Sequence, residues 1–141
     1  ASKDRPQMGM MVPQTTAAAL VSENKALGWP ASMDSIPTCE DQEDHVAMST
    51  TAARRAASVV SNARLVIAIE MLGAVRALQF RLHDDPGVQL GRGTQVGVKR
   101  AAGILRNLGP NRTPSDEIEA LAAWIDAGGH RNAVGGLEPI A

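Results

Sequence analysis

From Glu43 to Leu82 the sequence contains no proline, and its first glycine is Gly73. Helix-forming residues fill the whole stretch. A helix of that length, rising about 1.5 Å per residue, spans roughly 55–60 Å. A compact domain of 141 residues is only about 37 Å across, from a radius of gyration near ~14 Å. Such a helix projects from any self-contained globule. Its middle, Leu65-Val-Ile-Ala-Ile-Glu-Met-Leu72, is apolar nearly all the way round, the pattern of a helix buried on every side. The other helices of the chain are too short to cover it. The expected fold is therefore all-α: a long central helix with shorter packed helices, forming part of a larger helical-bundle oligomer.

The composition agrees with close helix packing. Apolar residues make up 44 %, but aromatics only 2 %, with no Tyr and one Phe. The interior must be Ala, Val, Leu, Ile and Met, which suits helix on helix better than a sheet sandwich. A net charge of −1 gives no basic excess to attract nucleic acid or anionic lipid. The lone Cys39 has no internal partner, so a reducing, cytoplasmic setting is expected. No uninterrupted apolar run is long enough to cross a bilayer, and no signal-peptide pattern opens the chain. A start at Ala1 rather than Met reads as processing or truncation.

Along the chain, residues 1–13 read as an extended lead-in. Gln14–Leu27 reads as a short apolar helix stopped by Gly28 and Pro30. The loop that follows is expected to be ordered, with Met33 and Ile36 buried. His83-Asp-Asp-Pro-Gly87 ends the long helix. A further helix is expected over Thr94–Leu108, with Arg100 and Arg106 solvated and Gly109-Pro110 ending it. Thr113-Pro114-Ser115-Asp116 gives a cap residue, Pro at the first helical position and an acid in the first turn, which starts a last helix. That helix carries Ile118, Leu121, Ala122 and Ile125 and runs to Gly128-Gly129.

Glu40, Asp41, Glu43, Asp44 and His45 form the densest polar cluster. Dipole compensation at the start of the long helix explains it most simply. A metal site from Asp41 and His45 has one His and no second ligand group to complete it, so no metal is expected. A third reading makes Glu43 a general base or substrate-binding carboxylate. Cys39 reads as a small buried residue rather than a nucleophile. Gly91-Arg92-Gly93 is too short for a phosphate loop, since no strand precedes it. Glu70, inside the apolar stretch, is expected to be buried and paired with a donor. Trp29 and Trp124 read as packing anchors.

Three blocks resemble a known family. They are Met11-Val-Pro-Gln-Thr-Thr-Ala-Ala-Ala-Leu-Val-Ser-Glu-Asn-Lys25, then Pro30-Ala-Ser-Met-Asp-Ser-Ile-Pro-Thr38 with Gln42-Glu-Asp-His-Val46, and more weakly Asp116-Glu-Ile-Glu-Ala-Leu121. They are similar to the C-terminal portion of the aromatic amino acid ammonia-lyases, the methylidene-imidazolone enzymes, and among them to the histidine ammonia-lyase group. The resemblance covers nearly all of residues 1–141, with 28–42 as an active-site loop. It implies an almost entirely helical homotetramer whose active sites are each built from more than one subunit. It also implies elimination of ammonia from an amino acid by an electrophilic methylidene-imidazolone, formed from an internal Ala-Ser-Gly.

No Ala-Ser-Gly and no Tyr occur in this sequence. The chain alone is therefore expected to be inactive and to bind no cofactor, completing a site whose electrophile lies on an N-terminal part or a partner chain. Within that site the resemblance assigns Glu43 the catalytic carboxylate, with Met11, Gln42 and Cys39 as substrate-binding positions. Met11 with Glu43 favours a histidine-like substrate over phenylalanine, hence urocanate and ammonia as products.

The departures are Trp29 in place of the usual His, Cys39 for Ser, Ala47 and Ser49 for Ser and Gly, and the added acids Glu40-Asp41. They keep an aminomutase in view. A non-catalytic assembly or regulatory module derived from such a lyase is the alternative from another class.

Overall fold

The 36-residue helix Ser49–Asp84 (α2) organises everything else. At about 1.5 Å per residue it is roughly 54 Å long. The structure, a computed structural model, describes residues 9–109 and 111–134, with side chains to 131. Helix α1, Met11–Leu27, packs along the middle of α2, from about Val59 to Gly73. A short 3-10 turn, Ala31–Met33, also lies on α2. Beyond α2 follow α3, Arg92–Asn107, α4, Pro114–Asp126, and the short α5, Gly129–Val134. Among the described residues there is no β-strand, only an isolated bridge between Thr38 and Glu43.

α1 and α2 run antiparallel, with Pro13 and Ile69 buried and several polar ties. Asn62 Nδ2 donates to Glu23 Oε2 at 3.1 Å and to Asn24 Oδ1 at 3.0 Å, and Asn24 Nδ2 reaches the Val59 carbonyl at 3.4 Å. At the other end of α1, the Met10 side chain lies against Gly73 and Arg76.

The apolar core sits at the far half of α2. Ala68, Leu72 and Val75 meet Ala101 and Leu105 of α3 and Leu121 and Ala122 of α4. Leu72 and Leu121 are wholly buried. At roughly 25 cal/mol per Å² of apolar surface, each such side chain contributes about 2 kcal/mol. Glu117 of α4 is also buried, at 4 % exposure. It accepts from Arg112 Nε at 2.7 Å and forms an ion pair with Arg76, so α2, α4 and the loop before α4 meet on one carboxylate. The charge is tolerated there because two guanidiniums take up its lone pairs.

Several expectations need correction. The lead-in stops earlier than Pro13: α1 begins at Met11, and Pro13 lies buried in its first turn, where a missing N–H costs nothing. Residues 1–8 lie outside the described part. Gly28 caps α1 as expected but with a right-handed backbone, φ −69°. The long helix begins at Ser49, not Glu43, because Met48 adopts φ 47° and breaks the run.

Glu70 is exposed, since it lies across α2 from the buried Ala68, Ile69 and Leu72. The buried acid is Glu117 instead. Met33, Ile36 and Trp29 are exposed, at 66, 58 and 64 %, because nothing among the described residues covers them. Trp124 does pack: a Cβ on Gly129 would collide with its indole. Expectation and structure agree at α4, where Thr113 and Asp116 form a reciprocal capping box with Pro114 in the first turn.

α2 is also long and apolar enough, by length and composition, to cross a membrane, which uninterrupted runs alone did not reveal. The core helix of a bundle satisfies the same test.

Candidate functional site

Residues 28–48 join α1 to α2 and carry most of the expected site. Arg55, two turns into α2, donates to the Trp29 carbonyl at 2.8 Å and fixes where the loop leaves α1. The Val46 N–H donates to Ser35 Oγ at 2.8 Å and closes the loop on itself. Between these ties Thr38 and Glu43 exchange both backbone hydrogen bonds, at 3.1 and 3.2 Å. The four residues between them turn the chain, helped by Gln42 N–H donating to the Cys39 carbonyl at 3.2 Å.

That turn is strained. Cys39, Glu40 and Asp41 all adopt left-handed backbones, with φ of 55, 54 and 60°. Left-handed geometry costs an L-residue roughly 1–2 kcal/mol through its Cβ, and Asp bears it more readily. Thr38 also holds the side chain at the base of the turn: its Oγ1 donates to Glu43 Oε2 at 2.7 Å. Glu43 is exposed and Oε1 has no partner among the described residues, so one carboxylate oxygen is fixed and the other is open to a ligand.

Gln42 and Cys39 lie in the same turn as Glu43, both exposed. The expectation of a buried Cys39 fails: Cys39 is exposed, like residues 36–45 around it. His45 is exposed as well. No group of His, Cys, Asp and Glu that could hold a metal occurs among the described residues. The acids do not compensate the α2 dipole either, because its first turn contains none. They precede Ser49 by five residues or more, in the loop.

Met11 lies elsewhere. It begins α1, half-exposed, next to the Met10 that touches Gly73 and Arg76. Gly73 is 24 residues along α2 from Ser49, about 36 Å at the helical rise. Glu43 belongs to the loop that leads into the opposite end of α2, five residues before Met48. One chain thus brings together Cys39, Gln42 and Glu43 and keeps Met11 apart from them. Sequence reasoning missed Thr38 and Ser35 as the groups that shape the loop. The only signal was a hydroxyl five residues before Glu43, just after Pro37.

The aromatic amino acid lyase family model matches residues 1–101 of this chain, a stretch that contains α1, the loop and α2. The chain belongs to that family. It is 47 % identical over 120 residues to histidine ammonia-lyase of Geobacillus kaustophilus, covering 84 % of this chain and 23 % of that protein. The Gloeobacter violaceus enzyme of the same name is 47 % identical over 122 residues, with 86 and 23 % covered.

Solved structures agree. Histidine ammonia-lyase from Trypanosoma cruzi superposes with a TM-score of 0.80 at 33 % identity, over 93 % of this chain and 25 % of that one. Tyrosine aminomutase from Streptomyces globisporus gives 0.82 at 30 % identity, over 97 and 26 %. The chain spans about a quarter of the length of these relatives.

Proposed function

We propose that this chain supplies the C-terminal helical part of an amino acid ammonia-lyase, with histidine as substrate and urocanate plus ammonia as products. The observation that carries this reading is the carboxylate of Glu43, anchored by Thr38 through one oxygen on a strained turn inside the family-matched stretch. Strain held at a loop tip is commonly associated with function, and an anchored carboxylate is suited to hold a cationic amino or imidazole group or to assist proton transfer. The identity to histidine ammonia-lyases, near 45 % for several of them, supports the substrate.

The methylidene-imidazolone of this family would supply an electrophile that acidifies the substrate. No Ala-Ser-Gly exists here to form it, so in this reading it resides on residues that this chain does not contain. What this chain contributes is binding and orientation by Glu43, Gln42 and Cys39. The distance between Met11 and Glu43 supports a tetrameric assembly in which one site draws these two positions from different chains. The solved tyrosine aminomutases favour a second reading, amino-group migration on the same scaffold.

The test combines this chain with a polypeptide carrying the Ala-Ser-Gly part and follows urocanate absorbance from histidine. Activity in the complex, reduced by roughly 100-fold or more in Glu43→Ala, is the expected result. A silent complex, or full activity in Glu43→Ala, overturns the lyase role. A β-amino acid product instead of urocanate selects the aminomutase.

A further inference from the structure

From Pro86 to Ser115 the sequence has no Asp or Glu, yet carries Arg92, Lys99, Arg100, Arg106 and Arg112. In a chain of net charge −1, this concentrates positive charge on α3. Arg112 is used on Glu117. Lys99, Arg100 and Arg106 have no carboxylate partner among the described residues. The acids of the adjacent α4 are all engaged elsewhere: Asp116 with Thr113, Glu117 with Arg76 and Arg112, Glu119 with Ser115, and Asp126 with Arg64.

These three cations line one cavity of about 690 Å³, together with Gly103, Asn107 and Trp124. Residues 96, 99, 100, 103, 106 and 107 fall on one helical face, and a Cβ on Gly103 would meet nothing within 4 Å. The groove is therefore open at its centre. Trp124 lines one wall and is packed against Gly129. Gly103, Arg106, Asn107 and Trp124 lie beyond residue 101, where the family match ends.

We infer that the α3–α4 groove binds a small polyanion carrying a planar ring, of the nucleoside diphosphate class. Guanidinium and ammonium groups clustered without counter-ions recognise phosphate oxygens through charge-assisted hydrogen bonds. The indole stacks the ring. Asn107 adds an amide able to donate or accept at the ring edge. This site is independent of the Glu43 loop and of the lyase reading.

ADP is the probe, titrated into the full chain in a Trp29→Phe background, where Trp124 is the sole indole. The expected result is a saturable change in Trp124 fluorescence. The Lys99→Gln/Arg100→Gln pair should weaken binding roughly tenfold or more, the loss expected when charge-assisted hydrogen bonds are removed. Gly103→Leu should block the groove without touching the core, and circular dichroism checks its helicity. Arg92→Gln, on the same helix but outside the groove, should change affinity by less than about twofold, as a screened distant charge. Adenosine binding as tightly as ADP would overturn the anion half of the proposal, and pyrophosphate binding as tightly as ADP would overturn the ring half. Equal losses from Arg92→Gln and from the double substitution, or no saturable response, would remove the site.

Discussion

The two ends of α2 are built on different terms. Its C-terminal half is covered by α3 and α4, with Ala68, Leu72 and Val75 buried and a carboxylate shared between two arginines. Among the described residues its N-terminal half meets α1 and a short 3-10 turn, with Arg64 paired to Asp126 of α4 at its inner edge. There Val60 is 69 % exposed, and Ile67, at the boundary, 49 %. The C-terminal half holds every buried side chain of α2, though it leaves Phe80 69 % exposed, while the N-terminal half buries none and joins the strained loop. Glu43 lies on the loop that leads into this less covered end. Under the proposed function, completing the bundle and completing the site would be one event.

The largest effect that can break this contrast is a cavity. Leu72→Ala in the lone chain should cost about 2–5 kcal/mol, as for any wholly buried leucine. Val60→Ala should change urea stability by less than about 0.5 kcal/mol, as for an exposed position. In the assembled protein Val60→Ala should become costly as well. Equal costs for Leu72→Ala and Val60→Ala in the lone chain would mean that the two ends do not differ. The same exposed surface should bind a hydrophobic dye, and less of it after Val60→Ser with Ile67→Ser.

Next in size is the buried ion cluster. Glu117→Ala removes the acceptor of Arg76 and Arg112. Both arginines are about one-third exposed and can turn to water, so the cost should be near ~2–3 kcal/mol rather than the upper range for buried pairs. Urea unfolding of the lone chain measures it. A negligible cost would show that the cluster holds no more than a surface pair does.

Much of the packed end was legible in the sequence, and much of the site end was not. Thr113-Pro114 with Asp116 announced α4 because capping is local: the cap, the proline and the acid act within one turn. The span of α2 was legible from Ser49 on. The six residues before it were not, since Glu43–Met48 lacks both Gly and Pro. What unwinds them is a left-handed Met48 and the Thr38–Glu43 pairing, a contact between two positions that no propensity reports.

Glu70 was assigned to the interior and the buried Glu117 was not singled out, because a pattern gives the face of a helix but not which face a neighbour covers. Met33 and Ile36 were assigned to an interior that the described residues do not provide.

A smaller effect lies at the start of α4. Thr113→Ala should cost about 1 kcal/mol, the usual loss for an N-cap, and amide exchange in the first turn should report it. Because the cap lies at the self-sufficient end, the cost should be the same in the lone chain and in the assembly. A cost that appears only on assembly would move α4 to the other side of the comparison.

The smallest effect is on pH. The Asp116 carboxylate accepts the Thr113 backbone N–H at 2.7 Å and its hydroxyl at 2.8 Å. The backbone bond first, and the hydroxyl second, hold its pKa below the ordinary 3.8 against a small opposing desolvation. A depressed folded value means that the charged form favours the fold. The contribution is fully present above 3.8 and disappears as pH falls through the lowered value. Protonation removes the acceptor that both Thr113 donors need, so the first turn of α4 should fray in acid while the Leu72–Leu121 contact persists. Carboxyl titration followed by NMR should place Asp116 below 3.8 in the parent chain and nearer to it in Thr113→Ala. An ordinary value in the parent would leave the capping box as geometry without energetic consequence. Recovery in the variant would show that this end of the molecule is held by contacts written within four consecutive residues, the opposite of what Glu43 requires.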